Sequence, residues 1–202
     1  MEALLPILFA SVVGIGHAFE ADHLLAVSNI VSKRDSVVLA VKDGFYWGLG
    51  HTTTLFIVGS VILLSRLTIF SSGYFEAFVG LVLVIMGFSR LFNKGNYTKV
   101  RAPKYQHGLA YTVGLIHGLA GSGALVLIVM SEISDPILGI LYILVFGVGS
   151  IIGMFIAAGM FSIPFTQRMK INRAFRSGIV VLSSFICILY GSYMIYENLL
   201  QR

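Results

Sequence analysis

The feature that most constrains this chain is the length of its apolar stretches. Six of them, roughly 4–31, 44–64, 74–92, 108–130, 136–161 and 175–199, are interrupted by short polar segments. A helix needs at least about 18 predominantly apolar residues to cross a bilayer, and each stretch reaches that length. Composition agrees: 57% of the 202 residues are hydrophobic and 11% charged, where a soluble domain has about a quarter of its residues charged. The expectation is an all-α polytopic membrane protein with six transmembrane helices. The first stretch is too long, and too polar near its middle, for a signal-peptide core, and is expected to stay as a permanent helix.

A net charge of +5 raises nucleic acid as a partner, and the positions of the charges decide against it. Six crossings put the connections after the first, third and fifth on one side of the membrane. All of the 14 Lys and Arg residues except Arg66 and Arg202 fall on that side. Basic loops face the cytoplasm, so both termini are expected outside the plasma membrane. The lone Cys187, in an aliphatic stretch, excludes an internal disulfide and reads as packing.

Set against itself at an offset of 100, the chain places "VGIGHAFEADHLLAV" over "VGLIHGLAGSGALVL". Val13, Gly14, His17 and Leu25 then match Val113, Gly114, His117 and Leu125. With one residue of slip, Gly48, Gly50 and Phe56 match Gly147, Gly149 and Phe155, and further on Gly87 pairs with Gly191. Histidine on histidine is the informative match, because the chain has 5 histidines in all. The reading is a single transmembrane domain, 1–202, of two three-helix repeats, about 1–92 and 107–202, joined by a basic loop about 93–106. Three is odd, so the second repeat is inverted relative to the first. Inverted repeats of this kind characterise secondary transporters, with the substrate near the midplane between the halves.

His17, Glu20, Asp22 and His23 fall within seven residues of the first apolar stretch. A charged side chain at the centre of a bilayer helix costs on the order of 2.5 to 3.5 kcal/mol, so such residues usually line a site or a pathway. Imidazole nitrogen with carboxylate oxygen suits Ni, Co, Zn, Mn or Fe rather than Cu(I), which prefers sulfur. On a regular helix His17, Glu20 and His23 share a stripe and Asp22 points elsewhere. The two imidazoles are then roughly 9 Å apart along the axis, too far for two ligands bound at about 2 Å. Either the helix is distorted, with Gly14 and Gly16 as weak points, or ligands come singly from other helices. His51, in "GLGHTTT" with Thr52 after it, and His117, in "LIHGLAGSG", lie at similar depth. Gly118, Gly121, Ser122 and Gly123 allow close backbone approach, which serves room for an ion, an unwound turn or plain helix packing equally. His107 opens the fourth helix and carries no expected role.

"HAFEADH" resembles the helix signature of the nickel/cobalt transporter (NiCoT) family, His, four residues, Asp, His, with His17, Asp22 and His23 at its positions and Glu20 where an acid is usual. "GLGHTTT" is similar to that family's second signature and carries His51 and Thr52 over. The resemblance covers the first, second and fourth helices. It implies movement of Ni²⁺ or Co²⁺ through the plasma membrane, with His and Asp side chains as metal contacts. Members are usually longer, with eight helices, and carry a later Phe-Asp-Thr-Ala-Thr-Glu signature; here "HGLAGSGAL" stands near its place. That points to the compact UreH-like branch.

The expected function is secondary transport of a divalent transition-metal cation through a site made of His17, Glu20, Asp22, His23, His51, Thr52 and His117. The metal is cargo, and no resident cofactor and no catalytic residue are expected. Partners are the cation and the bilayer, with self-association left open and nucleic acid excluded. Two alternatives stand beside it: an intramembrane metal-dependent hydrolase and a non-transporting accessory protein for metalloenzyme maturation. The first lacks a His-Glu-x-x-His helix motif, and an ATP-driven pump would need another subunit, since no phosphate-binding Gly-rich loop pattern occurs.

Overall fold

The computed structural model describes residues 4–65, 73–92, 105–133, 135–165 and 173–200. The basic loop about 93–106 falls almost wholly outside them, as do Arg66, Arg168, Lys170 and Arg202. Among the described residues the chain forms seven α-helices: α1 Leu4–His17, α2 Ala21–Val31, α3 Val37–Ser65, α4 Tyr74–Phe92, α5 Gln106–Glu132, α6 Pro136–Ser162 and α7 Arg173–Leu200, with a 3-10 turn Ile163–Phe165 after α6.

Among the described residues four segments are long and apolar enough to cross a membrane: Val37–Ser65, Tyr74–Phe92, Pro136–Phe165 and Ala174–Leu200. The protein is a multi-pass membrane protein. Its surface is inverted relative to a soluble fold: Leu64, Phe92, Leu182 and Leu189 are exposed, while Asp43, His51 and His117 are buried. The expected second crossing begins earlier than 44, because α3 starts at Val37 and draws Lys42 and Asp43 into the helix. The expected first crossing is not one helix. It is interrupted after His17, leaving α1 with 14 residues and α2 with 11, each too short to span alone.

Local chemistry accounts for the sharpest boundary. Asp135 Oδ1 accepts the Ile137 N–H at 2.8 Å, and Pro136 stands at the helix start, where its missing N–H has no intrahelical partner anyway. Between helices, small residues carry the packing. A methyl group on Gly14 would run into the carbonyl oxygen of Phe146, bringing α1 against α6; one on Gly114 would run into that of Trp47, bringing α5 against α3. Gly149 meets the Ser11 carbonyl and Gly50 the Tyr111 carbonyl in the same way, and Gly80 of α4 crosses Gly191 of α7 backbone to backbone. Hydroxyls add bonds across these seams: Ser150 Oγ donates to Gly14 O at 3.2 Å and Thr54 Oγ1 to Leu115 O at 2.9 Å. Cys187 packs in the interior with its thiol against Leu25 O at 3.6 Å.

Where α2 ends and α5 begins, the bundle is closed by an ion-pair cluster. Arg34 donates from Nε to Asp43 Oδ2 at 2.6 Å and from Nη2 to Oδ1 at 2.8 Å. His107 Nδ1 lies 2.6 Å from the same Oδ1. His107, which the sequence left without a role, thus ties α5 to the α2–α3 turn. Gln106 Nε2 donates to Ile30 O and Arg90 Nη2 to Ser32 O, each at 3.2 Å.

Candidate metal centre

The interruption of the first crossing builds the site. After His17 the chain tightens into short-range bonds, Phe19 N to Gly16 O at 2.9 Å and Glu20 N to His17 O at 3.0 Å. Glu20 itself is extended, with φ −63° and ψ 154°, and its carbonyl accepts the first bond of α2, from Leu24 N at 2.9 Å. The break therefore falls at Glu20. Gly14 is locked in the α1–α6 seam, and Gly16, with nothing near it, keeps helical backbone. Both routes considered from sequence contribute, since the first helix is distorted and further histidines arrive from α3 and α5.

The result is a cluster of four imidazoles. The rings of His17 and His23 approach to 4.5 Å between centroids, His17 and His51 to 5.2 Å, His23 and His51 to 5.1 Å, and His23 and His117 to 5.5 Å. One ligand nitrogen each from His17, His23 and His51 lies within 4.8 Å of the others. Two nitrogens bound to one ion at about 2.1 Å stand no more than about 4.2 Å apart, so the observed spacing is close to what one shared ion would require. Glu20, Asp22 and His23 form a second group with ligand atoms within the same 4.8 Å.

The two carboxylates orient the rings. His17 Nδ1 donates to Glu20 Oε1 at 2.8 Å and His23 Nδ1 to Asp22 Oδ1 at 3.0 Å. Asp22 is therefore not turned away as a regular helix would have it. With each Nδ1–H engaged, the lone pair is left on Nε2, the arrangement in which an outer carboxylate fixes the tautomer of a metal-binding histidine. His17 Nε2, His23 Nε2 and both ring nitrogens of His51 are buried and unpartnered among the described residues. His117 Nδ1 lies 3.0 Å from Val113 O of its own helix, and its Nε2 is unpartnered too. Leaving this many buried polar atoms unpaired would be costly unless a ligand completes them. Nitrogen donors backed by two negative charges fit a divalent transition metal.

Thr52 stands apart, donating through Oγ1 to Gly147 O of α6 at 3.0 Å and thereby holding α3, next to His51, against α6. Gly118 serves the α3–α5 seam against His51 O and Thr54. Gly121 leaves the room: a Cβ there would sit 3.5 Å from His17 Nε2 and 3.9 Å from His51 Cε1. Of Ser122 and Gly123 only the helical backbone is described.

A cavity of about 750 Å³ reaches the cluster, lined by His17, Glu20, Asp22 and His23. Its other walls include residues that sequence reasoning passed over: Glu76 of α4, Tyr142 and Phe146 of α6, Tyr190 and Met194 of α7. The aromatic ones carry no signal in so apolar a chain. Glu76 carried one, as an acid inside "YFEAFVGLVLV".

No protein-family model matches the chain, and no solved structure matches it. Among characterised proteins, it is 36% identical over 205 residues to the urease accessory protein UreH of Bacillus sp. (strain TB-90), a match that spans 92% of this chain and 88% of that protein. Identity of that extent, over 92% of the chain, shows that the chain belongs to the family of urease accessory protein UreH, membrane proteins related to the nickel/cobalt transporters.

Proposed function

We propose that the protein is a secondary transporter of a divalent transition-metal cation, nickel or cobalt, which sheds water and binds His17, His23 and His51 near the middle of the membrane. Asp22 and Glu20 hold two of those imidazoles and balance the charge of the ion. His117 completes the ring of imidazoles, and Thr52 fixes the helix that presents His51. The observation that carries this reading is the convergence of three imidazoles from three helices, each offering one nitrogen within 4.8 Å of the others and each keeping an unpartnered ring nitrogen, beside a cavity that His17 and His23 line.

In this reading α1 and α2 together make one broken crossing and α5 another, giving six crossings in the cell membrane with both termini outside. The halves about 1–92 and 107–202 are inverted copies joined by the loop about 93–106. Reciprocal packing supports the relation: Gly14 on Phe146 is repeated by Gly114 on Trp47, and Gly149 on Ser11 by Gly50 on Tyr111. The equivalent positions, Gly14 and Gly114, Trp47 and Phe146, Ser11 and Tyr111, Gly50 and Gly149, are 99 or 100 residues apart in sequence, the spacing of the internal repeat. Rocking of one half against the other would expose the ion to each side in turn.

The name of the relative, urease accessory protein, favours a destination for the cation, namely supply to the maturation of a metalloenzyme. Transport and supply are compatible, and the first is the direct test. Purified protein in proteoliposomes with an imposed proton gradient is offered Ni²⁺, Co²⁺, Zn²⁺ and Mn²⁺ in competition. Accumulation of Ni²⁺ or Co²⁺ that His17→Ala abolishes is the expected result; wild-type vesicles that move none of the four overturn the reading.

A further inference from the structure

The cavity that reaches the histidines has one acidic wall residue from outside the α1–α2 break: Glu76, in the first turn of α4. α4 supplies nothing to the imidazole cluster. Glu76 is half-buried, yet its Oε2 is fully screened from solvent and has no hydrogen-bond partner among the described residues. A carboxylate oxygen withdrawn from water without a donor is unfavourable unless something charged visits it. Elsewhere on the same cavity wall, His23 is 1% exposed and its Nε2 also lacks a partner. Unsatisfied acceptors thus belong to two parts of one cavity, an acid at the start of α4 and imidazoles at the break.

We propose that Glu76 is a capture residue for the cation, drawing it into the cavity from the membrane face where α4 begins before His17, His23 and His51 take it over. This rests on the metal-transport reading and adds a station to it. Charge arithmetic gives the reason. Glu20 and Asp22 already match a divalent ion, so a third carboxylate in the cavity leaves one negative charge to attract the next cation. A cleft lined by one sign of charge, with apolar walls such as Phe146 and Met194, concentrates the field and raises the rate of encounter. A first-turn acid also complements the dipole of its own helix. That role acts on the stability of α4 and has no reason to alter how metal association depends on salt.

The test is stopped-flow association of Ni²⁺ with the purified full-length protein in detergent, for wild type, Glu76→Gln and Glu76→Asp. Glu76→Gln is expected to lower the association rate constant about fivefold at low salt, toward the modest end of what electrostatic focusing supplies. Its dissociation rate should stay within about twofold of wild type, and the difference should shrink as salt rises with the screening of the charge. Glu76→Asp should restore most of the rate. Should Glu76→Gln not fold, Met194→Lys brings a compensating positive charge into the same cavity, beside Gly80 one turn along α4, and should slow association in the same salt-dependent way. Unchanged association in the folded variant, or a loss independent of salt, overturns the role of Glu76 while leaving the histidine site standing. Wild-type protein that binds no Ni²⁺ removes the site itself, and this proposal with it.

Discussion

The α1–α2 segment and α5 begin alike and end differently. Each carries a Val-Gly-x-x-His sequence, at Val13–His17 and Val113–His117, and each lays its glycine on a carbonyl of the neighbouring long helix. Beyond the histidine, one continues Ala-Phe-Glu-Ala-Asp-His and breaks at Glu20, while the other continues Gly-Leu-Ala-Gly-Ser-Gly and stays helical to Glu132. A straight helix presents one imidazole at a given depth, as α5 does with His117. The break folds six residues of separation into a 4.5 Å approach between two rings and gives each a carboxylate on Nδ1. The same glycine packing on α1 and α5 therefore accompanies different chemistry, with the carboxylates and two of the imidazoles gathered in the α1–α2 segment.

That contrast ranks the effects of substitution. The largest should come from the broken segment: His17→Ala is expected to reduce metal movement at least about a hundredfold and Asp22→Ala about 10- to 100-fold, the cost of losing an outer-shell partner of a metal site. Both should reach the membrane in wild-type amounts. Metal accumulation in cells, normalised to protein level, checks this, and wild-type rates in both would remove the first crossing from the site. On α5, Gly121→Leu should weaken Ni²⁺ binding by about tenfold by filling the space beside His17 and His51, the kind of penalty overpacking brings. Gly121→Ala, whose Cβ finds ordinary contact at 3.5 Å, should bind nearly as wild type. Equilibrium binding to the two variants separates lost room from lost ligands.

Smaller still is the expected effect of His117→Ala, about threefold on affinity, because that ring is anchored to its own backbone by the Val113 carbonyl and metal affinity then falls only by what a single peripheral donor adds. A loss as large as that of His17→Ala would place the two halves on an equal chemical footing. Finally, Gly14→Ala and Gly114→Ala should destabilise the fold by similar amounts, about 1 to 3 kcal/mol each, since both would meet a carbonyl oxygen of the adjacent helix. Thermal unfolding in detergent measures the pair, and a large inequality would break the likeness between the halves.

Much of this was legible in the sequence. Apolar length placed α4 to α7 near their observed bounds, because burial in lipid imposes the same demand on each residue of a span, and missed only the start of α3, where Lys42 and Asp43 interrupt the apolar run inside the helix. The histidines were legible because ionisable groups in such a run are rare. The form of the first crossing was not: a periodicity argument assumes a continuous helix, and Glu20 ends it by adopting an extended backbone that no local propensity announces. The consequence was a misplaced Asp22: the break at Glu20 re-aims the start of α2, so that Asp22 lines the same cavity as His17 while its carboxylate holds the adjacent His23. Thr52 enters the expected site through the resemblance of "GLGHTTT" to the family's second signature, and in the structure its hydroxyl donates to Gly147 O in a distant part of the chain. The Arg34, Asp43 and His107 cluster depends on contacts across 9 and 64 residues of sequence, which no local pattern encodes.

The central claim is that His17, His23 and His51 hold the cation directly. X-ray absorption of the purified protein loaded with one equivalent of Ni²⁺ tests it most directly, because imidazole ligands leave a characteristic multiple-scattering signature around the metal. A first shell of nitrogen and oxygen at about 2.0 to 2.1 Å, with an imidazole contribution of about three rings that falls in His23→Ala, is the predicted result. A shell of oxygen alone, or one with sulfur, would contradict it.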